Sequence, residues 1–109
     1  AWMSDADLDF YVSEFSRSGF RGPLNYYRNH NLTWELTAGA PTQIQQPALF
    51  VAGDRDGVIT MAAQALEAMP NYVTDLRVNA LIPGVGHWTQ QEAAEATNEY
   101  LLDWLASLD

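Results

Sequence analysis

The chain has 109 residues, enough for one hydrophobic core, and nearly half of them are apolar, which excludes a disordered composition. Fourteen acidic residues against five basic ones give a formal charge of −9. Such a surface repels phosphate backbones, which disfavours nucleic acid and anionic membranes as partners. The absence of cysteine removes disulfides, thiol nucleophiles and cysteine-ligated metals together, and fits a cytoplasmic protein.

Ser4 followed by Asp7 resembles a capping box, with Asp in place of the usual Glu or Gln. Leu8, Tyr11, Val12 and Phe15 then recur at three- and four-residue steps, which predicts an amphipathic helix stopped by Gly19. Residues 20–22 read as a turn. Pro23 suits the first turn of a second helix from Leu24 to about His30. A short helix around Trp34, Glu35 and Leu36 follows, then a polar loop to residue 46.

At Pro47 the character changes. Ala48 to Gly53 is an unbroken apolar run, the pattern of a strand covered on both faces. Asp54, Arg55, Asp56 and Gly57 are loop chemistry. Residues 60–69 predict an alanine-rich helix closed by Pro70, and Leu76 to Ile82 a second strand. Pro83 to Thr89, PGVGHWT, is a glycine-rich turn holding one of two histidines. Glu92 to Leu108 predicts the last helix, with Ala96, Leu101, Trp104, Leu105 and Leu108 on its apolar side. Trp34, Phe50 and Trp104 are expected in the core. No apolar run approaches the about 20 residues of a membrane span. No signal peptide is visible, and a chain beginning at Ala1 rather than Met leaves targeting open.

Strand, helix, strand, helix in the second half argues for an α/β fold with a parallel sheet. Two strands alone cannot cover both faces of such a sheet, so the expectation is a portion of a larger one. Parallel α/β sheets place functional side chains on loops beyond the carboxyl ends of their strands. The first such loop carries Asp54 and Asp56, the second His87. An acid on one can accept the Nδ1 proton of a histidine on the next and fix its tautomer. The plainer readings are a structural turn histidine and, for Asp56, a helix cap for the residues from 58 onward. His30 reads as surface. Two histidines without cysteine, lacking any His-x-His or His-x-x-x-His spacing, imply no zinc site.

Four segments together carry a resemblance to a known family. Ser18 to Asn29, SGFRGPLNYYRN, resembles the lid segment SGFRGPLNWYRN of the soluble-type epoxide hydrolases of the α/β-hydrolase fold. Pro47 to Val51 followed by Gly53-Asp54-Arg55-Asp56 resembles their late strand and acid loop. Gly86 to Glu92, GHWTQQE, resembles their histidine turn, and the helix ending Leu101 to Leu105 resembles their last helix. The order of acid, then histidine, is also that of the α/β-hydrolases.

The resemblance implies two parts: residues 1–46 as lid helices and a return loop, and residues 47–109 as the C-terminal portion of the hydrolase core. It implies roles for single residues. Asp56, last of the Gly-x-x-Asp pattern, matches the acid that orients the histidine, with Asp54 its rival. His87 matches the general base. Tyr27 matches one of two lid tyrosines that hold the epoxide oxygen. Tyr26 stands where the family often has tryptophan, which makes it a pocket-lining candidate, as is Trp88.

The implied reaction turns an epoxide and water into a vicinal diol through an alkyl-enzyme ester, with no cofactor. Its nucleophilic aspartate, on a Gly-x-Asp-x-Gly elbow, has no match here. Nor do the His-Gly-x-Pro segment and the first lid tyrosine. The expectation is a chain that works only with a companion chain or N-terminal half carrying that nucleophile. Two alternatives stand beside it: a haloalkane dehalogenase-like hydrolase, which uses the same ester without the lid tyrosine pair, and a non-catalytic partner subunit.

Overall fold

Ser4 opens helix α1 (Asp5–Ser18) through a complete capping box in the computed structural model, which describes residues 2–108 of the chain. Its Oγ accepts from the Asp7 backbone N–H at 3.2 Å, and Asp7 Oδ2 accepts in return from the Ser4 N–H at 2.9 Å. Those bonds satisfy helix donors that have no partner in the turn above. Gly19 ends the helix at φ +68°, a conformation that favours glycine.

The second helix corrects the expected boundaries. It is α2 (Arg21–Arg28), not Leu24 to His30, and Phe20 is its N-cap. Leu24 N–H already donates to the Phe20 carbonyl at 3.0 Å, so the expected turn is the helix's own first turn. Pro23 is tolerated there because an N–H in the first turn lacks a helical acceptor in any case. His30 instead opens α3 (His30–Leu36). Trp34 is 75% exposed, so it is not in a core. The rings of Phe15 and Phe20 stack at 4.7 Å between centroids.

These helices make up one of two units, Ala1–Pro41, and the rest of the chain, Thr42–Asp109, makes up the other. The second unit is built on two parallel strands, β1 (Ala48–Gly53) and β2 (Leu76–Ile82), at the positions the apolar runs predict. Ala48 pairs with Leu76 and Leu49 with Val78, so Arg77 is the extra residue of a register shift. From there the ladder runs regularly to Gly53 opposite Ile82. A parallel bridge between Ile44 and Val73 extends the pairing ahead of β1.

The link between the strands is two helices, α4 (Gly57–Met61) and α5 (Ala63–Tyr72), where one over 60–69 was expected. The helical region starts earlier because Asp56 caps it. It ends later because Pro70 lies in the last turn of α5, where its missing N–H forfeits only the bond to Leu66. The final helical region is likewise split at Ala93 into α6 (Thr89–Glu92) and α7 (Ala94–Ala106). Of its expected apolar side, Ala96 and Trp104 are half-buried, whereas Leu101, Leu105 and Leu108 are exposed. Helix α7 packs on both strands.

Burial concentrates where the strands end. Ala52, Ile82 and Val85 are the buried apolar residues among those described, and Asp56 and Thr89 the buried polar ones. The first four residues of β1, Phe50 among them, are only half-buried, although their composition suits a strand covered on both faces. Among the described residues no helix is long and apolar enough to cross a membrane.

Candidate active site

The carboxyl ends of β1 and β2 lie side by side, and the loops that leave them are bonded together at backbone level. Asp54 N–H donates to the Ile82 carbonyl at 3.1 Å, and Arg55 N–H to the Val85 carbonyl at 2.9 Å. The close approach depends on Gly53. A Cβ built there would lie 2.1 Å from the Val85 carbonyl oxygen and 2.4 Å from that of Gly86. No side chain fits, so the histidine turn rests directly on the end of β1.

That contact brings the two loop side chains together. Asp56 Oδ2 lies 2.8 Å from His87 Nδ1. The other carboxylate oxygen, Oδ1, accepts from the Val58 N–H at 2.8 Å and caps α4. Asp56 therefore has both of the functions its sequence context offered, cap and histidine partner. The His87 ring, and secondarily the Val58 N–H, hold the Asp56 carboxyl below its ordinary value of 3.8. An ionised carboxylate can only accept, so Nδ1 carries the proton and donates it to Asp56. The lone pair of the neutral imidazole is then on Nε2. The carboxylate is buried, whereas the imidazole side chain is 58% exposed, so one end of the pair is fixed and the other open. The arrangement can take a proton from a water or substrate at Nε2 and stabilise the resulting imidazolium through Asp56.

Asp54, the rival acid, does not touch the histidine. Its Oδ1 accepts from the Gly84 N–H at 2.7 Å, bracing the start of the turn. Trp88 stands edge-on to the imidazole, with ring centroids 5.4 Å apart, and is half-exposed. Tyr26 and Tyr27 belong to the first unit. Both project from α2 and are largely exposed, at 82% and 70%, and the Tyr27 ring lies 5.8 Å from that of His30.

Sequence reasoning missed two features of the site. One is the clearance at Gly53, which it read only as the end of a strand. The other is Glu92, whose Oε2 accepts from Gly86 N–H at 2.8 Å and Oε1 from Trp88 N–H at 3.1 Å. A glutamate four residues beyond the N-cap Trp88 is one residue past the capping-box spacing, which is the signal that could have found it.

An acid, then a histidine, on successive strand-end loops of a parallel sheet is also the order found in α/β-hydrolases. No family model matches the chain. Individual relatives do. Epoxide hydrolase B of Mycobacterium tuberculosis is 47% identical over 113 residues, a stretch that takes in 99% of this chain and 31% of that protein. Epoxide hydrolase A of the same organism is 41% identical over 112 residues, covering 100% of this chain and 34% of the relative. Among solved structures, an epoxide hydrolase from an endophytic Streptomyces superposes with a TM-score of 0.93 at 44% identity, covering 99% of this chain and 33% of that one.

The chain thus spans about a third of the length of the relatives it matches. It corresponds to the C-terminal part of the α/β-hydrolase-fold epoxide hydrolases, as residues 18–29 and 86–92 imply by their resemblance, and its two-stranded sheet is part of that fold.

Proposed function

We propose that the chain supplies the late part of an epoxide hydrolase site, with residues 1–46 as its lid and residues 47–109 as the end of its core. The nucleophilic aspartate comes from an N-terminal half or companion chain. Its carboxylate oxygen attacks an epoxide carbon and the carbon–oxygen bond of the ring breaks, leaving the electron pair on the oxygen. The Tyr27 hydroxyl donates to that oxygen where the charge develops. In the second step a water attacks the ester carbonyl while His87 Nε2 takes its proton. The ester's acyl–oxygen bond breaks, the leaving oxygen takes the proton from the His87 imidazolium, and the diol departs. Asp56 holds the imidazole in the tautomer this step needs. Tyr26 and Trp88 line the pocket, and no cofactor takes part. The lack of cysteine suits a cytoplasmic setting.

The observation that carries this reading is the 2.8 Å contact between Asp56 and His87 Nδ1, with the imidazole side chain more than half exposed. It is supported by the similarity to the mycobacterial epoxide hydrolases over the whole chain. The test is a His87→Gln variant of the full-length protein mixed with an epoxide and analysed by intact mass. The expected result is a stable adduct of one epoxide per protein, because the ester forms and is not hydrolysed. Repeated turnover at the parental rate would remove His87 from the mechanism.

A further inference from the structure

The imidazole of His87 is held by one side chain, yet the backbone that carries it is held at four points. Asp54 Oδ1 takes the Gly84 N–H, and the Val85 carbonyl takes the Arg55 N–H. On the far side of the turn, Glu92 spans the histidine itself: one carboxylate oxygen accepts from Gly86 N–H and the other from Trp88 N–H, at 2.8 and 3.1 Å. The residues immediately before and after His87 are thus fixed by a single carboxylate. Glu92 is half-buried and sits at the end of α6, a single helical turn whose Thr89 carbonyl is bonded in turn by Thr97 Oγ1 of α7 at 3.2 Å. A Cβ added at Gly86 would meet Glu92 Oε1 at 2.8 Å, so the carboxylate fills the space that a side chain there would need.

The geometry points to Glu92 as a positioning residue for His87: its carboxylate clamps the peptides on both sides of the histidine and so aims Nε2 for the second chemical step. The inference rests on the epoxide hydrolase reading for its kinetic consequence, but not for the clamp. Each of the two donors takes its own carboxylate oxygen. A carboxamide offers one acceptor and one donor, so Glu92→Gln leaves one N–H facing another N–H. Ester formation uses the aspartate and Tyr27 and does not call on His87. Only ester hydrolysis does.

The test uses the full-length protein and its Glu92→Gln variant, with melting temperature as the check on folding. Rapid quenching and intact mass follow formation and decay of the alkyl-enzyme ester separately. The expected result is unchanged ester formation with hydrolysis slowed roughly tenfold to hundredfold, the scale of a lost charged hydrogen bond or a misplaced base. Hydrolysis at the parental rate overturns the clamp.

If Glu92→Gln does not fold, Glu92→Asp takes its place, keeping both acceptor oxygens on a shorter arm. A folded Glu92→Asp with slowed hydrolysis alone supports the inference. Parental hydrolysis, or loss of folding again, assigns Glu92 to the fold instead. If the parent forms no ester, the epoxide reading fails and the proton on His87 Nδ1, followed by NMR, decides the clamp. Loss or broadening of its resonance in the variant supports the clamp, and an unchanged resonance refutes it.

Discussion

The Asp56 carboxylate bonds to an imidazole and to a helix N–H at once, and both bonds favour its charged form. A carboxyl held below its ordinary value in the folded state stabilises the fold fully above that value, and the contribution is lost as pH falls through the lower, folded-state value. Asp56→Asn is therefore expected to melt below the parent near neutral pH, with the gap closing as pH drops below about 3.8. Thermal denaturation across that range checks the sign. Tyr27 is tested by activity. In the full-length protein, Tyr27→Phe is expected to lower epoxide turnover roughly hundredfold, the scale of one lost donor to a developing oxyanion. Initial rates at saturating epoxide measure it, and full turnover would take the phenol out of the mechanism. Asp56 and His87 were legible because strand-end loops and residue order narrow the candidates to a few. Loop position alone left Asp54 beside Asp56; the Gly-x-x-Asp resemblance favoured Asp56, and the folded geometry turns that carboxylate to the ring and Asp54 to Gly84.

The first helix was legible at both ends, whereas α2, α4 and α6 each start three residues ahead of the expected positions. Ser4 and Asp7 announce α1 by their spacing, and the bonds they form are those the motif predicts. Ser4→Ala removes the cap and is expected to cost about 1 kcal/mol of helix stability. Loss of helical circular dichroism on mild heating would show it, and an unchanged melting curve would mean the cap is redundant. The start of α2 was hidden because Pro23 marks a first turn without saying which of its positions it holds. The break at Ala93 carries no glycine or proline to betray it. Strands β1 and β2 could be read directly, since an apolar run of six or seven residues bounded by turn chemistry has few other uses. Their contact with the next loop could not. Gly53→Ala inserts a carbon where two carbonyl oxygens already lie. It is expected to destabilise the second unit by about 1–3 kcal/mol, the usual cost of overpacking. Urea denaturation measures that loss, and a smaller effect would mean that the histidine turn gives way easily.

At the scale of the whole molecule, the parallel pair β1 and β2 is the sheet, and most of β1 is only half-buried. Large apolar residues including Leu81, Leu102 and Leu105 face solvent among the residues described. Patches of that kind mark surfaces that another part covers. Under the proposed function, the covering part is the half that brings the nucleophile. The 109-residue chain by itself is then expected to bind a hydrophobic dye strongly and to show no epoxide turnover. Added N-terminal half should suppress the dye signal, and a chain that stays dark to the dye would count against the missing wall. The sequence revealed this incompleteness through its strand count, because two strands leave too many faces bare. Which residues are bare depends on packing that no periodicity records.

The bare glycine at the end of β1 sets a limit on redesign. With main chain resting on main chain, nothing compressible separates the sheet from the segment that bears His87. Changes of length or bulk in that segment are transmitted straight to the imidazole. Under the proposed function, altering which epoxides are accepted is therefore better attempted in α2, where the Tyr26 and Tyr27 side chains stand free, than at the histidine turn.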